Sequence, residues 1–266
     1  MKKILLCLLA PYVMLTARAE GPVRLAIPDS AIVQQLADTV APASQRRTSL
    51  VRKAVVPVAL IGLGITHMDD EGLFEGSEGL RRVVRRHYDG FETRIDNYTY
   101  YAPLAMTVGL NIAGVKGEHQ FAEQAILLGM TYFLNKTLTN NLKSMLDVPR
   151  PDGTTNDAFP SGHSSSAFAY ATFFHKEYGK RSPWYSVAGY SFAVATGAMR
   201  ILNDRHWLSD VLAGAGIGIL STEAVYLIYP HIQKRIARGY LKKQQMAVLP
   251  YYTGGAGGIA VVYRLP

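Results

Sequence analysis

Three uncharged stretches of helix length set the main constraint on how this chain folds. Tyr98–Val115 runs 18 residues without a charged side chain, Pro183–Met199 is also uncharged, and Val211–Tyr229 is interrupted only by Glu223. Each is near the length that crosses a bilayer, and each would serve equally as a helix inside one large core. A shorter apolar run at Ala54–Thr66, another at Ala125–Asn135 that continues to Lys143, and a small-residue-rich run from Ser161 to Phe174 complete the set. The pattern predicts an all-α bundle of six core helices. Ser164-Ser165-Ser166-Ala167, and Gly214 with Gly218, would let neighbouring helices approach closely. Mean hydropathy is only +0.06, low for six true spans. The expectation is therefore a bundle inserted in a membrane or held tightly against one.

The polar junctions between these runs carry the chemistry. In Arg200-Ile-Leu-Asn-Asp-Arg-His206-Trp-Leu-Ser-Asp210, Asn203 or Asp204 can cap a new helix. His206 and Asp210 then stand four residues apart on one helix face. A carboxylate placed there accepts the imidazole N–H and fixes which ring nitrogen is free. Taken alone, such a pair is usually surface decoration. Lys143 and Arg150 are two cations seven residues apart, nearly two helical turns, before Pro149 and Pro151 end the helix. Pro160-Ser161-Gly162-His163 reads as a helix start, where free backbone N–H groups form an anion site and Gly162 permits close approach. Three cations, a nest of amides, two histidines and a carboxylate suit a phosphoryl group. Each part also has a bland reading: a structural ion pair, a simple helix cap, or a histidine metal ligand. No third His or Cys keeps His163 and His206 company at ligand spacing, so no metal is expected.

The order Lys143-x6-Arg150-Pro151, Pro160-Ser161-Gly162-His163 and Arg200-x5-His206-x3-Asp210 resembles the type 2 phosphatidic acid phosphatase (PAP2) superfamily, which includes class A acid phosphatases and vanadium haloperoxidases. The resemblance covers roughly Leu50 to Tyr229. It implies a six-helix phosphatase bundle in which Lys143, Arg150 and Arg200, with Ser161 and Gly162, bind phosphate. It further implies that His206 attacks phosphorus, Asp210 orients it, and His163 protonates the leaving oxygen, with no cofactor. One position departs: many members carry Ser before the third-motif Arg, where this chain has Met199. Asp147 and Asp152 read as loop caps or ion-pair partners; Asp157 has no assigned role.

Residues 1–19 look like a signal peptide, with Lys2 and Lys3, an apolar run Ile4–Leu15 and Ala17-Arg18-Ala19 as a cleavage site; the alternative is an uncleaved first helix. Cleavage would take the net charge from +8 to +5 and remove Cys7, the only cysteine. A polar lead-in over 20–52, with a short helix at Ala31–Asp38, precedes the phosphatase domain at 53–232. A basic helix and Gly-rich tail follow at 233–266, where Tyr251–Tyr263 alternates around glycines as a short β-hairpin. Leu80–Tyr88 is an amphipathic helix whose Arg81, Arg82, Arg85 and Arg86 form a positive side. That side is either solvated or a seat for anionic lipid head groups.

The expected partners are a phosphorylated lipid or small phosphate ester and a membrane, not nucleic acid. The expected function is a periplasm-facing envelope phosphatase. A soluble nonspecific periplasmic acid phosphatase and a non-catalytic anion- or lipid-binding protein are the alternatives.

Overall fold

In the computed structural model the described residues are 43–67, 76–243, 246–253 and 256–263. Two compact units divide the chain, Met1–Arg47 and Thr48–Pro266. Apart from the first residues of α1, everything below belongs to the second. Eight helices are described: α1 Ala43–Thr66, α2 Ser77–His87, α3 Asp96–Thr99, α4 Ala102–Ile112, α5 Phe121–Leu146, α6 Gly162–Tyr178, α7 Pro183–Leu202 and α8 Leu208–Lys243. Six match the six core helices expected; the other two are the amphipathic α2, 11 residues like α4, and the single turn α3. The signal peptide and the Ala31–Asp38 helix lie outside the described residues.

Three boundaries differ from the sequence pattern. α1 begins at Ala43, so the end of the expected polar lead-in is helical. The uncharged run from Tyr98 is broken at Tyr100–Tyr101 into α3 and α4, because Pro103 fits only the first turn of a new helix. α8 passes through Pro230 and includes the basic segment that the sequence set apart as a tail.

α6 is the central helix. It packs against α8, α7, α5 and α4, and its Ala167, Ala169, Ala171, Phe173 and Phe174 are fully buried. Small residues make the contact with α8 close. At Gly218 a Cβ would overlap the Ser165 carbonyl oxygen and sit 2.8 Å from Ala169 N. Phe173, Leu127, Val225 and Tyr229 form one apolar cluster between α5, α6 and α8. At the end of α6 away from Gly162, the buried Glu177 accepts from His119 Nδ1 at 2.8 Å and Tyr226 OH at 2.5 Å.

The outward faces are apolar. Ile112, Phe133, Trp184 and Val194 are 83, 73, 74 and 58% exposed on three different helices, α4, α5 and α7. Among the described residues one helix, Leu208–Arg235, is long and apolar enough to cross a membrane. β1 (Met246–Thr253) and β2 (Ala256–Tyr263) pair antiparallel from Met246↔Tyr263 to Thr253↔Ala256, in the hairpin region expected.

Candidate active site

Four helix ends converge. α5 brings Lys143 in its last turn, α6 starts at Gly162, α7 ends with Arg200, and α8 begins two residues after His206. Cations in the last turns of α5 and α7 complement the negative ends of those helices, and the start of α6 adds a positive end. Between them lies one cavity of about 490 Å³, lined by Lys143, Arg150, Gly162, His163, Arg200 and His206 among others. Six of the eight residues singled out in the sequence therefore face one space.

Ser161 and Asp210 do not line it. Asp210 lies behind His206, where its Oδ2 is 3.2 Å from His206 Nδ1 and accepts from Trp207 N at 2.8 Å. The carboxylate of the third helical residue thus reaches back to the N–H just before the helix, half of a capping box. That bond holds Oδ2 where the imidazole can donate to it. Nδ1–H is then engaged, and Nε2 keeps the free lone pair.

Ser161 is fully buried, and its hydroxyl accepts from Ser164 N at 3.4 Å and Ser164 Oγ at 3.0 Å. Its own N–H donates to Asp210 O at 3.0 Å. The expected Ser161 amide donor is accordingly occupied by Asp210 of α8, while the hydroxyl accepts in the helix cap and keeps its own proton to donate. The amides left at the start of α6 are those of Gly162 and His163, whose positions have no helical acceptor.

The cations are already engaged by carboxylates. Asp157 accepts from Arg150 Nε at 2.9 Å and Nη2 at 3.2 Å, and Lys143 Nζ donates to the Asp157 carbonyl. Burial pushes the Asp157 carboxyl up, but Thr155, Arg150 and Lys143 bring it down to about 2. Arg200 Nη1 donates to Asp96 Oδ2 at 2.6 Å, and Asp96 is 1% exposed. His163 Nε2 is 2.9 Å from Asn97 Oδ1, and Tyr100 meets the same ring edge-on at 5.2 Å. Burial first, then Arg200, Lys143 and Arg150, hold the His206 imidazole well below the usual histidine range.

Asp96, Asn97 and Tyr100 were missed in the sequence. Their one visible signal is an Asp–Asn pair just before an uncharged run. Asp157, left without a role there, is the shared partner of two cage cations. Asp152 pairs with Arg205 at 2.9 Å, as a loop partner should.

The loop that carries His206 is clamped. Asp204 sits at φ +57°, and its carboxylate receives Arg81 Nε at 2.8 Å and Nη2 at 2.9 Å. Arg81 also lies over the Trp207 ring at 5.5 Å, and Trp207 Nε1 donates to Pro149 O at 2.8 Å. Arg85 approaches Asp204 at 3.9 Å. The positive side expected on α2 is thus divided: Arg81 and Arg85 turn to the His206 loop, while Arg82 and Arg86 stay exposed.

Residues 124–234, the segment that carries all three motifs, match the PAP2 superfamily. The chain is 43% identical over 158 residues to a lipid A 1-phosphatase of Porphyromonas gingivalis, an alignment covering 58% of this chain and 35% of that protein. The chain thus spans about a third of the length of the curated relative it matches. Two solved structures align with it. The Aquifex aeolicus LpxE crystal structure does so at 22% identity and TM-score 0.42, over 55% of this chain and 93% of that one. A transmembrane PAP2-type phosphatidylglycerolphosphate phosphatase from Bacillus subtilis aligns at 18% identity and TM-score 0.48, over 66% and 97%.

Proposed function

We propose that this protein is a PAP2-type phosphatase of the cell envelope. It hydrolyses phosphoric monoesters or diphosphates on phosphorylated lipids, without a metal, through a phosphohistidine on His206. The observation that carries the reading is the convergence of Lys143, Arg150, Arg200, His163 and His206 on one cavity. A phosphate dianion needs charge neutralisation, an in-line nucleophile and a proton for the leaving oxygen. The three cations and the Gly162 and His163 amides supply the first. His206 Nε2, with Asp210 on Nδ1, supplies the second, and His163 supplies the third. Water then cleaves the N–P bond, and His163 takes up the proton.

Two features favour a lipid over a small soluble ester. The outward apolar faces suit contact with acyl chains. The curated relative is named for action on lipid A. The periplasm-facing orientation rests on the signal-like residues 1–19.

The test is phosphate release from phosphatidate, a polyprenyl diphosphate, lipid A and p-nitrophenyl phosphate, in detergent and chelator. Release from the lipids, blocked by vanadate, with labelled phosphohistidine trapped in the wild type and absent in His206→Ala, is expected. Release only from p-nitrophenyl phosphate would favour the soluble acid phosphatase. No release from any substrate would leave the anion-binding reading.

A further inference from the structure

The cavity is far larger than one phosphate, and its charge does not end at the reacting group. Six cations line it: Arg94, Lys136, Lys143, Arg150, Arg200 and Arg205. Four have carboxylate partners, Lys143 and Arg150 on Asp157, Arg200 on Asp96 and Arg205 on Asp152. Among the described residues the side chains of Arg94 and Lys136 make no ion pair and no hydrogen bond. Glu92 also lines the cavity but pairs with neither, so these two cations keep their charge for an arriving anion.

The placement of Lys136 gives the second site its distance. Lys136 and Lys143 are seven residues apart on α5, so they share a face about 10 Å apart along the axis. The start of α6 lies over the Lys143 end, where the Lys143 Cε and Thr139 Cγ2 atoms approach Gly162. Lys136 is one helical turn beyond Thr139, further along the same wall, with Ser166 of α6 also lining it. A cation here is against the character of the helix. Lys136 is the only charged residue between Glu123 and Lys143, and its neighbours Tyr132 and Phe133 are 54 and 73% exposed. Lys136 is exposed and lines the cavity, so its charge is open to an anion arriving from solution.

We infer that Lys136 and Arg94 form a second anion site, which holds another phosphate or carboxylate of the substrate about two helical turns from the phosphate that reacts. The preferred substrates are therefore phosphorylated lipids that carry two anionic groups. The inference rests on the phosphatase reading for which group reacts, but the site itself can be read by binding alone.

The experiment compares decylphosphonate with a series of alkane-α,ω-diphosphonates of increasing spacer length, by calorimetric binding to the full chain in detergent. Turnover of the matching phosphates is followed in parallel. Wild type should bind a diphosphonate of suitable spacing about tenfold more tightly than the monophosphonate. Lys136→Gln and Arg94→Gln should each erase most of that ratio, and Lys136→Arg should retain it. Equal weakening of mono- and diphosphonates would place Lys136 in the reacting cage and overturn the inference. So would a ratio near one in the wild type, or one that neither variant alters. Absent turnover with the binding ratio intact would count against the phosphatase reading and leave the second site standing.

Discussion

His206 and His163 are both imidazoles, yet they have different partners. His206 donates Nδ1–H toward a buried carboxylate, which in the proposed mechanism stabilises positive charge on the ring as it attacks. His163 faces Asn97, a neutral amide that orients the ring without holding a charge on it. His163→Ala should therefore lose most activity on lipid alcohols, which need a proton on leaving, and less on p-nitrophenyl phosphate. Asn97→Ala should show the same pattern with smaller losses; a rate series across leaving-group basicity measures both. The depressed pKa of His206 has a sign that can be tested. A histidine held below its usual value stays neutral, and so nucleophilic, as pH falls through about 6.5. The acid limb of kcat/KM, corrected for substrate ionisation, should lie below that value. Arg150→Gln removes one of the charges that depress it and should move the limb upward, whatever it does to the rate. A limb at the ordinary histidine pKa in both proteins would count against this assignment.

At the level of elements, α2 braces the His206 loop through Arg81 and Asp204. Replacing Arg81 leaves a carboxylate with 10% side-chain exposure short of its bidentate partner. Arg81→Gln should cost about 1–3 kcal/mol of stability by thermal unfolding, and lower kcat more than it raises KM. Arg82, which approaches Glu78 at 3.9 Å, and Arg86 are the exposed pair, and the lipid reading of α2 rests on them. Their double Gln variant should reduce binding to anionic vesicles at low salt, whereas Arg85→Gln should do so less. The α6–α8 contact is tighter than any side chain allows. Gly218→Ala should destabilise by about 1–3 kcal/mol or more, seen as a lower Tm or loss of folded protein, because the obstacle is the Ser165 carbonyl and not a movable side chain. The small-residue spacing at Gly214 and Gly218 was legible because helical periodicity is local. The brace was not, since Arg81 and Asp204 are 123 residues apart.

For the molecule as a whole, the apolar faces predict that carbonate or high salt will not release the protein from membranes and that detergent will. Release by salt alone would mean that the exposed residues meet a protein partner. The long helices and the three motifs could be read from the chain because each rests on short-range physics: runs of apolar residues, a cap, a pair four apart. The internal counter-ions could not, because Asp96 meets Arg200 across 104 residues. On the proposed function they also matter between turnovers. Asp157 and Asp96 hold the cage cations, so an arriving phosphate would trade places with a resident carboxylate. The side chain of Asp157 is 48% exposed and has room to withdraw, while Asp96 is sealed in. When inorganic phosphate is left behind, Asp157 is the competitor that returns to displace it. Asp157→Asn should therefore hold its product longer, with a lower inhibition constant for inorganic phosphate than the wild type. The protein carries its own eluent.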